Sequence, residues 1–161
     1  MTKTTVRLNR PVPDFVAPAT GGREVRLSDL KGKFVILYFY PKDHTPGCTQ
    51  EGRDFRDLHQ EFQKLGSEIF GISRDSLKTH ENFKTKQQFP FDLISDQDES
   101  LCRLFDVLKP KKMFGREYLG IERSTFLIDP EGKLAAEWRK VKVKGHAEEV
   151  LGRLRALRQG G

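Results

Sequence analysis

The stretch that decides the fold runs from residue 34 to residue 48: Phe34-Val35-Ile36-Leu37-Tyr38-Phe39-Tyr40-Pro41-Lys42-Asp43-His44-Thr45-Pro46-Gly47-Cys48. Its first six residues form a continuous apolar run rich in β-forming side chains, which predicts a strand buried on both faces of a sheet. The strand pattern ends at Pro41, and a loop stiffened by two prolines follows. A cysteine comes directly after this loop.

A helical pattern follows the loop. Phe55, Leu58, Phe62 and Leu65 recur at spacings of three, four and three residues, which places them on one face of a helix. Extending this face back by seven residues from Phe55 reaches Cys48. We therefore expect one helix that begins near Cys48 and ends at Gly66, with Cys48 in the first turn on or beside the core-facing side.

The remaining patterns alternate between strands and helices. Strands are predicted at 69–73, 91–94, 125–128 and 133–138, and helices at 76–88, 98–105 and 146–158. A Pro/Gly turn at 129–132 joins the last two strands into a hairpin. The order β-α-β-α-β-α-β-β-α predicts an α/β fold in which helices cover both faces of a mixed central sheet. The length suits a single domain over residues 1–161.

Composition excludes several classes of protein. Hydrophobic residues make up 36% of the chain and charged residues 32%, a balance typical of globular domains. The chain lacks an uncharged apolar stretch of 18 residues, so we expect no membrane span. Residues 1–10 are polar and basic, without the apolar segment of a secretory signal. The expected location is therefore cytoplasmic.

Two cysteines, Cys48 and Cys102, are too few for a disulfide scaffold. They form no CxxC motif, so neither a zinc ribbon nor a dithiol redox motif is expected. The four histidines lack metal-ligand spacing. His44 lies near Cys48 and could act as a ligand or base, but a solvated loop histidine is the favoured interpretation. We expect no metal ion and no cofactor.

The net charge of +6 is concentrated at one end of the chain. Residues 101–161 hold 14 Lys and Arg against 8 Asp and Glu. Such a surface suits a polyanion, and a non-enzymatic polyanion-binding module is one alternative function. A solvated basic face is favoured, because neither aromatic interleaving nor a nucleic-acid motif accompanies the charge. We therefore expect no nucleic-acid partner.

The position of Cys48 suggests redox chemistry. Thiolates react whereas thiols do not, and a helix N-terminus offers partial positive charge and free N–H groups. Peroxide reduction also needs hydrogen-bond donors aimed at the departing oxygen. Thr45 can offer a hydroxyl from the same turn, and Gly47 lets a backbone N–H approach closely. The product of such a reaction is a sulfenic acid.

Specific segments resemble a known family. Pro41 to Cys48 has the PxxxTxxC arrangement of peroxiredoxins, and the longer run 40–49 resembles the peroxiredoxin Q family, also called bacterioferritin comigratory proteins. Residues 13–15 and 27–33 resemble the N-terminal part of that family, and 123–129 resembles its later arginine-containing strand. The resemblance covers roughly residues 11–155.

This resemblance implies a thioredoxin-like fold and an antioxidant, thiol-dependent peroxidase that reduces hydrogen peroxide and organic hydroperoxides through a cysteine sulfenic acid. Cys48 matches the peroxidatic cysteine. Thr45 and Arg123 match the groups that orient the peroxide, and Pro41 matches the proline that shields the sulfur. Glu51 matches a position that is often acidic in this family, and the resemblance assigns it no definite role. The expected reductant is an external thiol such as thioredoxin or glutaredoxin, and the expected state is a monomer or weak homodimer.

The chain departs from the family at the resolving cysteine. One usual position is Arg53 here, and the other usual stretch, 82–86, contains no cysteine. Cys102 is then either a displaced resolving residue or a small packed residue beside Leu101 and Phe105. The packed interpretation is favoured, which predicts a one-cysteine mechanism. A thiol-disulfide oxidoreductase is the second alternative function, and the missing CxxC argues against it.

Overall fold

The computed structural model describes residues 5–160. Residues 1–4 and 161, which the predicted domain 1–161 and the polar segment 1–10 include in part, lie outside the described residues. The strands are β1 Val16–Ala19, β2 Arg23–Arg26, β3 Phe34–Phe39, β4 Ser67–Ser73, β5 Asp92–Ser95, β6 Leu108–Met113, β7 Arg116–Ile121, β8 Ser124–Ile128 and β9 Leu134–Trp138. The helices are α1 Pro46–Asp57, α2 His59–Lys64, α3 Leu77–Gln87, α4 Ser100–Leu104 and α5 His146–Gly160.

A seven-stranded sheet of mixed direction forms the centre, in the order β2-β1-β5-β4-β3-β8-β9. Strands β3, β4 and β5 run parallel, while β8 pairs antiparallel with both β3 and β9. The predicted mixed sheet is therefore confirmed. The carboxyl ends of the three parallel strands and the start of β8 lie at one edge of this sheet.

Strand β3 lies inside the sheet and separates two hydrophobic cores, because successive side chains of a strand point to opposite faces. Leu37 and Phe39 pack in one core with residues of α4. Ile36 and Tyr38 pack in the other core with α1, α2, α3 and α5. Helices thus cover both faces, as predicted. Among residues 5–160, no helix combines the length and apolar character needed to cross a membrane.

The predicted single helix from Cys48 to Gly66 is wrong in one respect. It is interrupted at Leu58, whose backbone leaves the helical region at φ −101° and ψ 3°. Phe55 and Phe62 on either side of the break are fully buried in the same core. Because the apolar spacing continues unchanged through the break, the periodicity could not reveal it.

The predicted order of elements also omits two hairpins. The first, β1–β2, joins the sheet at its edge, where Ala19 pairs with Ile94 of β5. The sequence pattern predicts no strand there, because four-residue strands show little alternation. The second, β6–β7, forms a separate two-stranded sheet. Its β6 strand, Leu-Lys-Pro-Lys-Lys-Met, has no fully buried side chain, so it lacks the apolar pattern that predicts a strand.

Candidate active site

Cys48 is the third residue of α1, at the carboxyl edge of the parallel strands. Thr45 precedes the helix in an extended conformation, and Pro46 occupies its first position, where a fixed φ suits a helix start. The Cys48 side chain is 2% exposed and belongs to the core under α1. The prediction of a first-turn, core-facing cysteine is confirmed. The sulfur therefore lies among the free N–H groups at the positive end of the helix.

The Arg123 side chain contacts the Cys48 sulfur, although the two residues are far apart in the sequence. One guanidinium nitrogen, Nη2, donates to Cys48 Sγ at 3.5 Å, and Nη1 donates to Glu51 Oε1 at 2.6 Å. Arg123 directly precedes β8, whose Ser124 pairs with Phe39 at the end of β3. The antiparallel β3–β8 pairing thus brings together residues 75 positions apart. The pairing therefore places a permanent positive charge beside the sulfur.

Two glycines of α1, Gly47 and Gly52, leave room for neighbouring side chains beside the helix. A Cβ atom at position 47 would lie 3.2 Å from Arg123 Nη2, so a side chain there would crowd the guanidinium. A Cβ atom at position 52, one turn after Cys48, would overlap the Phe89 ring. Gly47 therefore admits the arginine, and Gly52 admits the Phe89 ring against α1.

Glu51 is a buried acid one turn along α1, 1% exposed. Burial raises the pKa of its carboxyl to about 7, against the opposing effect of Arg123. Its second oxygen, Oε2, has no hydrogen-bond partner among residues 5–160, and neither has the buried Tyr38 hydroxyl. The Glu51 carboxyl therefore fixes the guanidinium through one oxygen and takes up a proton near neutral pH.

Thr45 and Pro41 lie in the loop before Cys48. The Thr45 hydroxyl donates to the carbonyl oxygen of Lys42 at 2.8 Å. Its hydrogen is thereby engaged, while its oxygen lone pairs stay available to accept a hydrogen bond. Pro41 is half-buried in the same loop. The structure thus gathers Cys48, Thr45, Arg123 and Pro41 at one edge of the sheet.

A buried network, which the sequence did not indicate, holds this loop. Asp43 accepts from the Tyr40 hydroxyl at 2.6 Å and contacts His80 Nδ1 of α3 at 2.6 Å. The other His80 nitrogen, Nε2, lies 3.0 Å from the Ile94 carbonyl oxygen. A carbonyl can only accept, so Nε2 donates to it, and Nδ1 is the nitrogen that faces the Asp43 carboxyl group. The backbone N–H of Asp43 donates to Asp75 at 2.9 Å.

Three of these side chains form a possible metal-ligand group. Ligand atoms of Asp43, Asp75 and His80 lie within 4.8 Å of one another. Each is already engaged, however: Asp43 with His80, and Asp75 with Ser73 Oγ and the Asp43 amide. The group is explained as a hydrogen-bond network. The nearby His44 is exposed and packs edge-on against Phe83, with ring centroids 5.0 Å apart.

Cys102 is not part of this site. It is fully buried in the core under α4, which lies on the opposite face of the sheet from Cys48. Its backbone N–H donates to Asp96 Oδ2 at 2.8 Å. Burial, with the added effect of the Asp96 carboxylate, raises the pKa of the Cys102 thiol far above its ordinary value. Both cysteines are free thiols.

Comparison with known proteins agrees with this geometry. The sequence matches the AhpC/TSA family over residues 8–137. The chain belongs to the AhpC/TSA family. It is 53% identical to peroxiredoxin Bcp of Xanthomonas campestris pv. campestris, over 97% of this chain and 98% of the relative. It is 52% identical to peroxiredoxin Bcp of Bacillus subtilis, over 95% of this chain and 98% of the relative. This AhpC/TSA protein is therefore a peroxiredoxin, a thiol-dependent peroxidase.

Solved structures place it in the same group of AhpC/TSA proteins. Peroxiredoxin Q of Xanthomonas campestris superposes with a TM-score of 0.89 at 52% identity, covering 98% of this chain and 99% of that one. The bacterioferritin comigratory protein of Xanthomonas campestris, solved as trapped intermediate and ligand complexes that bear on its alkyl peroxide reduction activity, gives a TM-score of 0.88 at 51% identity, covering 97% and 99%. The predicted family and the thioredoxin-like fold are confirmed.

Proposed function

We propose that the sulfur atom of Cys48 is where this peroxiredoxin reduces hydrogen peroxide and organic hydroperoxides. The contact of 3.5 Å between Cys48 Sγ and Arg123 Nη2 carries the proposal. It joins a thiol in the first turn of a helix with a positive charge held within reach of a bound peroxide. The burial of Cys102 and the raised pKa of its thiol make it a poor nucleophile.

The reaction follows from the positions of these groups. The Cys48 thiolate attacks the nearer peroxide oxygen, the O–O bond breaks, and the departing oxygen leaves with its electron pair and takes up a proton. Cys48 becomes a sulfenic acid, and the other product is water or an alcohol. Arg123 faces the charge that develops on the reacting oxygens, where fixed donors act most strongly.

Thr45 and Pro41 orient and enclose the peroxide in this proposal. Because the Thr45 hydrogen is held by the Lys42 carbonyl, its oxygen accepts the hydrogen of the attacked O–H group. The Pro41 ring restricts access to the sulfur and keeps the loop stiff. Both groups are in place before the peroxide arrives, so little reordering accompanies the reaction.

The second half of the cycle requires an outside thiol. Cys48 and Cys102 are separated by the sheet, which supports a one-cysteine mechanism in which thioredoxin, glutaredoxin or another thiol reduces the sulfenic acid. The same separation argues against a thiol-disulfide oxidoreductase. We propose the chain works as one domain, as a monomer or weak homodimer, in the cytoplasm, where cysteines stay reduced.

Stopped-flow measurement of peroxide consumption tests the assignment. The Cys48→Ser variant is expected to lose all thiol-dependent turnover, while Cys102→Ser keeps the rate of wild type. Cys102→Ser is the matched control, because it makes the same atomic change at the other buried cysteine. Substantial turnover by pure Cys48→Ser protein would remove Cys48 from the mechanism.

A further inference from the structure

The tip of the β6–β7 hairpin is an exposed phenylalanine in an unfavourable conformation. Met113 pairs with Arg116, so the turn consists of Phe114 and Gly115, and both have positive φ values, 53° and 78°. Two-residue turns of this kind favour Asn-Gly, because residues other than Asn, Asp and Gly have a strained backbone at positive φ. The Phe114 side chain is also 96% exposed. Neither the strain nor the exposure contributes to folding, so both point to a contact outside the chain.

One face of the hairpin continues this exposed patch. Lys111 lies directly across from Tyr118, and Met113 lies across from Arg116, so these four side chains share a face. Met113 is 55% exposed and Tyr118 43% exposed. We call Phe114 together with these four residues the hairpin patch. It interleaves apolar and cationic side chains: Arg116 is exposed, while the half-buried Lys111 ammonium also donates to the Ile121 carbonyl oxygen at 2.8 Å.

The hairpin arises beside the active site. Strand β7 ends at Ile121, two residues before Arg123, and Arg74 at the end of β4 donates to the Leu119 carbonyl of the hairpin at 3.1 Å. The hairpin therefore stands at the sheet edge that carries Cys48. Its tip lies seven residues from Ile121, roughly 23 Å along an extended strand. A partner with an ordinary interface of about 800 Å² per side is large enough to contact the tip and approach the sulfur.

We propose that the hairpin patch docks an acidic protein with two thiols, which reduces oxidised Cys48. The inference rests on the proposed one-cysteine function, because a sulfur with no internal resolving partner must be reached by an outside thiol. Three features select this occupant. The cations call for an acidic surface, and the apolar side chains call for a pocket. A second copy would bring together two hairpins that each carry four cations against one acid, Glu117, so charges of the same sign would predominate on both sides.

The same arrangement disfavours a lipid surface. A hairpin that enters a bilayer places apolar groups at the tip and cations behind them. Here Arg116 directly follows the turn and lies across from Met113, so a cation would have to enter the apolar layer together with Phe114, which is unfavourable.

Reduction of the Cys48 sulfenic acid uses both thiols of the partner. The first thiol of the partner attacks the Cys48 sulfenic acid, forms a mixed disulfide and releases water. The second thiol of the partner attacks that disulfide, frees the Cys48 thiolate and leaves the partner oxidised. The two electrons that reach Cys48 come from the dithiol of the partner.

The Phe114→Asn variant tests this proposal without endangering the fold, because Asn-Gly is a favoured turn sequence. Turnover is measured with dithiothreitol and, separately, with an acidic two-cysteine thioredoxin. We expect unchanged turnover with dithiothreitol and a roughly 10- to 30-fold fall in kcat/KM for thioredoxin, the loss typical of truncating an aromatic side chain central to an interface. Val16→Thr, at an apolar side chain that is 41% exposed on β1, is the control and should change neither rate.

Charge is tested in the same assay. The Arg116→Gln variant should weaken the decline of the thioredoxin rate with added salt. Unchanged thioredoxin kinetics in Phe114→Asn would overturn the docking proposal, as would Phe114-dependent binding to anionic vesicles or self-association without a thioredoxin effect. Failure of the wild type to turn over even with dithiothreitol would instead overturn the proposed function, and the docking proposal with it.

Discussion

Cys48 and Cys102 pack on opposite faces of the central sheet. A disulfide needs Cα atoms within about 7 Å, and layers stacked on the two faces of a sheet are each about 10 Å from it. The two thiols can therefore meet only if α1 or α4 leaves its core. Such a movement would expose Phe55 or Leu101, each 0–2% exposed, and exposing one large apolar side chain costs about 1.5–3 kcal/mol.

Treatment with one equivalent of peroxide should therefore leave a sulfenic acid rather than an internal disulfide. Intact mass spectrometry of wild type and Cys102→Ser should show the same gain of one oxygen, trapped with a sulfenic-acid reagent. Rapid loss of two hydrogens in wild type alone, reversed by thioredoxin, would show that Cys102 resolves the intermediate after all.

Arg123→Ala should slow the reaction with peroxide by a factor of ~10²–10³, since a donor aimed at developing charge is worth about 2.7–4 kcal/mol. Its effect on stability should be smaller than the 3–5 kcal/mol usual for breaking a buried ion pair. The reason is that Glu51, whose pKa is already raised to about 7, can take up a proton when its partner is removed. Stopped-flow kinetics and urea unfolding measure the two effects.

The matched control for this variant is Arg139→Ala. Arg139 is half-buried and donates to the Phe105 and Asp106 carbonyls at the end of α4, away from Cys48. It should lower stability without changing the peroxide rate. A near-normal peroxide rate in Arg123→Ala would make Arg123 a structural residue.

Asp43→Ala should slow sulfenic acid formation at least about tenfold, because the Tyr40 hydroxyl and His80 both lose their buried partner. Asp43→Asn should stay within about threefold of wild type. An amide can donate to neutral His80 Nδ1 and still accept from Tyr40, so every contact of the loop is retained. The ratio of the peroxide rate to the iodoacetamide alkylation rate of Cys48 is the measurement, because alkylation needs the thiolate but not the loop geometry.

Lys84→Gln is the control for this pair of variants, because it removes the ion pair from α3 to Asp92 without touching the loop. An equal loss in Asp43→Ala and Lys84→Gln would indicate that any weakening of α3 slows the enzyme. If Asp43→Ala and Asp43→Asn have the same ratio of peroxide rate to alkylation rate, the hydrogen-bond network does not position the loop.

The pH dependence of stability should carry a contribution from His146. Burial, with the nearby Arg123 charge, lowers the pKa of this imidazole to about 4. Between pH 6.5 and about 4 the unfolded chain therefore binds a proton that the folded chain does not. Stability is lost as pH falls through this window and is fully present above it. The contribution approaches roughly 3 kcal/mol, at about 1.4 kcal/mol per pKa unit.

Urea unfolding of wild type and His146→Gln between pH 4 and 7 measures this effect. The difference in unfolding free energy should shrink as the pH falls, since glutamine can still bond to Thr125 Oγ1 but does not titrate. The raised pKa of Glu51 acts with the opposite sign in an overlapping window, but it is common to both proteins and cancels in the difference. Parallel pH curves would contradict the prediction.

The sequence predicted the centre of the fold well because its signals there are local. The apolar run of β3, the loop prolines and the helical spacing back to Cys48 each depend on neighbouring residues. Hairpins β1–β2 and β6–β7 escaped prediction, because short or solvated strands bury too little apolar surface to show a period of two. The break at Leu58 escaped because the spacing of Phe55 and Phe62 is continuous across it.

The site residues that belong to family motifs could be predicted from the sequence. Cys48, Thr45 and Arg123 came from the motif match, and the structure brings them together. Asp43 lies inside the same motif, but its partner His80 is 37 residues away, and nothing local marks either side chain as buried. Such a contact depends on how α3 packs, which one sequence does not record.

The Phe89 ring seated on Gly52 has a consequence for the motions of α1. Glycine inside a helix weakens it by about 1 kcal/mol relative to alanine, and α1 also begins with Pro46 and Gly47. The helix that carries the reactive sulfur is thus intrinsically weak and depends on packing, including that of the Phe89 ring. Any fluctuation that lifts this ring removes a support of α1. Amide hydrogens of α1 should then exchange with solvent through local openings that involve the 88–91 segment, far below the free energy of global unfolding.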